Sequence, residues 1–315
     1  MKLKLVLKIV GAIGIAFWTA CCFLGLFFAS DGNMMVAIPI TLIIAVLLFL
    51  SYFLMMKFQD KDTRQGNAKN AKTLELVFLA VYLVVMVCSA YYVNHIVKVE
   101  TEYKDQVRND ALQAIEELSI TFDNEEYDFS QKSYRQYVDD QTNSYITQLK
   151  KEDAYRGDND PKVSDFTEYM LGNGQHRDDD DNYSNLEMEV NDKLDMIYNG
   201  VYDWNIFSVL PMLHDLEIYK PIWEEKLMEY SRAKESEEYP FLAEEPFRGG
   251  EYYSDYDCYG LSEPLTHANF QISGKTVLIT VVLQIVILLA YLLFIKWGGV
   301  RRGPKPGENI RVWDN

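Results

Sequence analysis

The residues with the most legible chemistry lie in an acidic run. Asp178, Asp180, Asn182 and Glu189 take the first, third, fifth and twelfth positions of a calcium-loop template. In such a loop, oxygens at alternate positions converge on one hard cation and a terminal Glu closes the shell. Two departures count against it: Tyr183 stands where the sharp turn needs glycine, and Asn185 stands where an apolar residue is usual. A solvated acidic loop is the expected state of this segment. His95, His176, His214 and His267 are scattered, with no metal spacing and no Ser-His-Asp or Cys-His grouping. No glycine-rich phosphate loop is present either. The expectation is a protein that is not an enzyme and holds no catalytic, cofactor or metal site.

Ion-driven transport would need an ionisable group inside an apolar segment, because proton relays and ion sites are built from such groups. The candidates are Glu75, one residue inside the end of such a segment, and the uncharged Gln284. Neither is placed like a transport site, although Gln284 can bond to a neighbouring helix.

The segments that carry these residues define the architecture. Ile9–Ala29, Met34–Met56, Leu74–Val93 and Val277–Ile295 are apolar runs of about twenty residues, the length needed to cross roughly 30 Å of hydrocarbon as a helix. Lys2, Lys4 and Lys8 precede the first run, and Lys57, Lys61, Arg64, Lys69 and Lys72 lie between the second and third. Lys296, Arg301, Arg302, Lys305 and Arg311 follow the fourth. These basic segments fall on one side, so the positive-inside rule makes both termini and the middle loop cytoplasmic. Trp18–Thr19–Ala20–Cys21 hints at a lipoprotein cleavage box, but apolar sequence continues to Ala29, so an uncleaved anchor is expected.

The stretch from Lys98 to Ile272 is then extracytoplasmic. It holds 41 acidic against 16 basic residues, a net charge of −25, while the rest of the chain is +8. Such a balance repels anionic polymers, so no nucleic-acid partner is expected; proteins and cations fit better. Of the 4 cysteines, Cys21, Cys22 and Cys88 lie in apolar runs. Cys258 stands outside without an internal disulfide partner, either free or linking two chains.

Leu74–Val93 meets no helix breaker on leaving the apolar run. Tyr103, Val107, Ala111, Ile115, Leu118 and Phe122 continue at helical spacing with charges between them. One long helix that spans the membrane and then becomes the first element of a soluble domain is expected. Further helical faces fall in Ser130–Lys151, around Val163–Leu171, and at Leu186, Val190, Leu194, Ile197, Val201 and Trp204. Pro221 suits the first turn of a last helix carrying Ile222, Trp223, Leu227 and Tyr230. Residues 239–272 read as an irregular, Tyr-rich arm. The fold class is therefore mainly α. A four-span membrane helix bundle carries a mostly helical extracytoplasmic domain inserted between spans three and four. Its boundaries are 1–97 (spans at about 9–29, 34–56 and 74–97, with the basic loop 57–72), 98–272, a fourth span at 273–297, and a short basic tail at 298–315.

Two sets of residues point to assembly. Small residues recur along the first span: Ala12, Ala16 and Ala20 in one row, and Cys21, Gly25 and Ala29 in another. Such rows let helix backbones approach closely in lipid. Outside, 17 of the 22 tyrosines lie in residues 98–272, and tyrosine is favoured in recognition surfaces. Tyr103, Val107, Ile115, Tyr252, Tyr253, Tyr256 and Tyr259 are the candidate interaction surface.

Two families share this layout. Tetraspanins carry a Cys-Cys-Gly motif and paired cysteines in the large loop, where this chain has Cys258, Tyr259 and Gly260. The chain more closely resembles TssN, an inner-membrane component of the type VI secretion systems of Bacteroidota. The likeness lies in length, the lysine-led first span, the basic inner loop Lys57–Lys72, the helical insert, and the short basic tail after span four. That resemblance implies a non-enzymatic structural subunit of a trans-envelope complex that docks a contractile injection apparatus. Its partners would be TssO, TssP, TssQ and TssR beside the lipid bilayer, in a homo- or hetero-oligomer at the bacterial inner membrane. The alternative from the residues is a sensor or receptor whose periplasmic domain binds a small ligand or cation.

Overall fold

A computed structural model describes residues 2–62, 68–122, 133–152, 155–157, 159–172, 182–231, 247, 258–267 and 272–294. The chain is mainly helical, with no strand among the described residues. In order come α1 (Lys2–Ala29), α2 (Met34–Asp62), α3 (Ala68–Lys98), a π turn (Val99–Tyr103), α4 (Lys104–Phe122) and α5 (Tyr134–Leu149). They are followed by α6 (Pro161–Met170), α7 (Tyr183–Tyr202), α8 (Val209–Ser231), the single turn α9 (Glu263–Thr266) and α10 (Gly274–Phe294). Three helical stretches, Leu5–Ala29, Met34–Gln59 and Ala71–Phe122, are long and apolar enough to cross a membrane. The apolar stretch of α10 is shorter, Gly274–Leu289.

The chain divides into two compact units. One contains residues 1–27, 34–97 and 269–315; the other contains 28–33 and 98–268.

In the first unit, α1, α2, α3 and α10 surround Ile15, Trp18, Cys22, Leu48, Tyr52, Met55, Tyr82, Met86 and Ile287. Several polar side chains inside this core are paired across helices, which offsets the cost of removing them from water, while Tyr52 Oη and Gln59 Oε1 are buried without a hydrogen bond among the described residues. Trp18 Nε1 donates to Ser89 Oγ at 2.9 Å, and Tyr82 Oη donates to Gln284 Oε1 at 2.9 Å. Gln59 Nε2 donates to the Tyr291 carbonyl at 3.1 Å. Pro39 lies inside α2, beyond its first turn, so the intrahelical bond that an N–H there would give the Met35 carbonyl is missing.

The second unit is built on α4. Its stripe of Val107, Ala111, Ala114, Ile115, Leu118 and Phe122 is buried, and α7 runs antiparallel beside it. Tyr183, at the start of α7, stacks on Phe122 and donates its hydroxyl to the Phe122 carbonyl at 2.7 Å. At the other end, Trp204 Nε1 donates to Glu100 Oε1 at 3.3 Å, and Arg108 lies over the Tyr202 ring. The chain then reverses into α8, where Met212 faces Gly200 and Lys193 Nζ sits 3.2 Å from the Tyr219 ring centroid. An antiparallel pair, α5 and α6, is pinned by Tyr134 Oη donating to the Met170 carbonyl at 2.7 Å. The caps follow the side chains available: Ser133 and Gln136 form a reciprocal capping box on α5, and Asp160 caps α6 just ahead of Pro161.

Two elements depart from the expected pattern. The expected long helix does run on from α3 into α4 as one stretch, Ala71–Phe122, but it contains the π turn, an i→i+5 widening that adds a residue to the turn and shifts the phase of side chains beyond it. The last long helix starts at Val209, so Pro211 rather than Pro221 occupies its first turn, and Pro221 is internal. Leu210, Leu213, Leu216, Lys220, Trp223, Leu227 and Tyr230 form one continuous buried stripe through it, apolar except for Lys220. That burial outweighs the roughly 3 kcal/mol an interior proline costs.

Candidate functional site

The acidic cation candidate is only partly visible. Asp178 and Asp180 lie outside the described residues. Asn182 is the N-cap of α7, its side chain accepting from the Asn185 backbone N–H at 2.9 Å. Glu189 stands 3.9 Å from Lys193, one turn further on. Both are engaged in building the helix that starts there.

In the first unit, the small residues that bring its own helices together are not the row of alanines. Ala16 and Ala20 face outward and Ala12 is half-buried, because a helix turns 100° per residue and the buried face of α1 runs through Gly11, Gly14, Ile15, Trp18, Cys22 and Gly25. A Cβ at Gly11 would meet the Tyr52 ring, and one at Gly14 would fall 2.5 Å from Ile287. At Gly25 it would strike the backbone carbonyl of Tyr92. Of the candidate packing residues, Gly25 therefore sits at a close approach of α1 and α3, while Ala29 is half-buried at the helix end. Gln284 joins α10 to α3 through Tyr82, with its amide nitrogen 3.6 Å from the Met86 sulfur. Glu75 is buried and shares a side-chain hydrogen bond with Tyr291. Glycines inside an apolar run were the signal for the α1 contacts, since glycine has no other use in a lipid-spanning helix than close approach or bending.

The candidate interaction surface also divides. Val107 and Ile115 are 3% and 4% exposed, packed inside the chain rather than presented to a partner. The stripe on α4 faces α7 and α8, whose own apolar stripes complete the core. Tyr103 is half-buried at the end of the π turn. Tyr252, Tyr253 and Tyr256 lie outside the described residues, and Tyr259 is 82% exposed. Its neighbour Cys258 is buried, so an interchain disulfide would require that segment to open first.

What the sequence did not announce is the apolar surface on α7 and α8. Met188, Met196, Tyr198 and Tyr202 are exposed on α7, and Ile218 and Ile222 on α8. Ile218 and Ile222 share one face with Glu225 and Glu229. On the core side of α8, Lys220 is buried, with half-buried Glu224 and Glu117 close to it. Lys220 Nζ is 3.1 Å from Glu224 Oε1. Burial works against the ammonium, but Glu224, Cys258 and Glu117 together outweigh it and hold its pKa above the usual lysine range. Burial pushes the Glu117 carboxyl up, more than the attraction of Lys220 pulls it down. Nearby, Glu217 accepts from both the backbone N–H and the hydroxyl of Ser262, at 2.7 and 3.2 Å, and so fastens α9 to α8. On the other side of the unit, Arg135 and Glu187 form a two-pronged ion pair, which raises the guanidinium pKa further.

At the end of the unit where α4 begins, a second constellation gathers. Trp204 holds a left-handed backbone, φ 47°, which a bulky residue seldom adopts. Its ring is buried between its bond to Glu100 and the Lys104 ammonium, 5.5 Å from the ring centroid. His214 Nε2 lies 3.2 Å from Asp31 Oδ1, in the turn joining α1 to α2. That turn reverses the chain through left-handed Asp31 and Gly32.

No family model, curated protein or solved structure matches the chain.

Proposed function

We propose that the chain is a non-enzymatic structural subunit of a multi-protein trans-envelope complex in the bacterial inner membrane. In this reading α10 is a fourth span, both termini are cytoplasmic, and residues 98–272 form a periplasmic domain inserted between spans three and four. The observation that carries it is on α7 and α8. These helices close the core of their unit and still expose Met188, Met196, Ile218 and Ile222 on a strongly acidic segment. Apolar side chains left in rows after the core is complete are what a subunit presents to neighbours. The resemblance to the TssN family, the type VI secretion component, would make those neighbours TssO, TssP, TssQ and TssR.

The test is affinity purification of the tagged protein from its own membranes in mild detergent, followed by mass spectrometry and mass determination of the intact complex. Envelope proteins recovered in fixed ratio are expected. A chain recovered alone and monomeric overturns the proposal.

A further inference from the structure

The loop between α7 and α8, residues 203–208, has an address that can be read from within its own unit. Because α7 runs antiparallel to α4, its end returns to where α4 begins. Trp204 bonds to Glu100, two residues beyond the last residue of α3. On the far side of the loop, His214 in α8 reaches Asp31, two residues beyond the last residue of α1. The unit itself includes Phe28 and Ala29 from the end of α1 and Lys98 from the end of α3. In the membrane reading, hydrocarbon gives way to headgroups where those two apolar helices end, and Trp204 and His214 touch the chain just beyond both ends.

Its composition suits the place. Trp204, Ile206 and Phe207 follow one another within four residues, and Phe207 is 50% exposed. Tyr202, at the end of α7, is also exposed, with Arg108 over its ring. Trp and Tyr populate the membrane–water interface because their rings are amphipathic, and exposed Phe side chains of interfacial segments enter the acyl boundary itself. The left-handed Trp204 forces the tight turn: Trp204 is held inward, and Asn205 Oδ1 accepts from the Phe207 N–H at 3.1 Å, which fixes the bend that presents the Phe207 ring.

We infer that residues 203–208 form an interfacial foot, with Phe207 inserted among the lipid headgroups and upper acyl chains. The occupant of the exposed Phe207 surface is lipid, and the foot is a further membrane contact of a domain otherwise joined to the bilayer through its spans. This rests on the membrane reading above, which the experiment below tests separately.

The full-length chain is reconstituted in vesicles of phosphatidylethanolamine and phosphatidylglycerol, carrying the photocrosslinker p-benzoylphenylalanine in place of one residue at a time. Position 207 reports the foot. Val84, exposed within α3, reports the span. Met188 is exposed on α7 about 21 Å from the helix end near the foot, and reports the domain away from the bilayer. Lipid adducts at 207 and 84 but not at 188 are expected. Adducts at 84 without any at 207 overturn the foot and leave the spans standing; none at 84 overturns the membrane reading itself. Adducts at 188 equal to those at 207 also overturn the foot. In the unmodified chain, deuterium exchange of residues 203–208 should slow on moving from detergent to vesicles. Equal exchange in both overturns the proposal without depending on a substituted protein.

Discussion

At the scale of single residues, two side chains have effects that can be signed in advance. Gly25 lies where α1 meets the backbone of α3, and a methyl group there collides with a carbonyl that cannot rotate away. Gly25→Ala should therefore lower stability by about 1–3 kcal/mol, the usual range for overpacking. Ala20→Val, on the outward face of the same helix, should change it by less than about 0.5 kcal/mol. Thermal unfolding of both variants in one detergent separates them, and equal losses would mean that the close approach is not the cause. Glu117 is a case of linkage. Its pKa is raised in the folded protein by burial, so the folded state holds that proton more tightly than the unfolded chain. The stability it contributes is present below the ordinary carboxylate range and is lost as pH rises through the elevated folded value. Glu117→Gln removes the titration. Scans from pH 4 to pH 8 should show a smaller decline in melting temperature for the variant than for the parent. Parallel curves would show that Lys220 fully compensates the carboxylate.

At the scale of elements, Pro221 sits inside a helix whose buried stripe runs past it, with Lys220 between Leu216 and Trp223. Replacement by alanine restores one backbone donor and removes a clash with the preceding turn. The unfolded chain gains some entropy in return, so Pro221→Ala should stabilise by about 1–2 kcal/mol. Chemical denaturation of the full chain in detergent measures this; a loss instead would mean that the bend at Pro221 seats Trp223 in the core. The same helix shows why sequence reading goes so far and no further. Periodicity reveals a buried face wherever apolar residues recur at three and four, which is why α4 and α7 were legible from Val107 to Phe122 and from Leu186 to Val201. Proline is a local signal, and it misplaced the start of α8 because packing of Leu210, Leu213 and Leu216 overrides it. The π turn was invisible for a related reason. It alters phase by one residue between an all-apolar helix and an amphipathic one, where no single stripe crosses the junction. The foot was invisible because it depends on contacts between Trp204 and Glu100 and between His214 and Asp31, pairs more than a hundred residues apart.

At the scale of the molecule, the question is what an acidic helical unit does with apolar side chains it does not need for folding. Its core is supplied by α4, α7 and α8, and Ile218 and Ile222 lie opposite that core. Replacing both by glutamate adds charge to a face that already carries Glu225 and Glu229, at two side chains that are about half exposed. The melting temperature of the Ile218→Glu/Ile222→Glu chain should stay close to that of the parent, as for surface substitutions worth within about 0.5 kcal/mol. Binding to a neighbour through that face should fail, because two anchors are removed and the partner would have to bury unpaired carboxylates. The measurement is the yield of co-purifying proteins from native membranes, with tagged parent and variant at equal expression. Loss of a partner with stability unchanged places the interface on α8. Full retention moves it to the α7 face of Met188 and Met196, since a subunit that assembles must do so through some surface its own core has left uncovered.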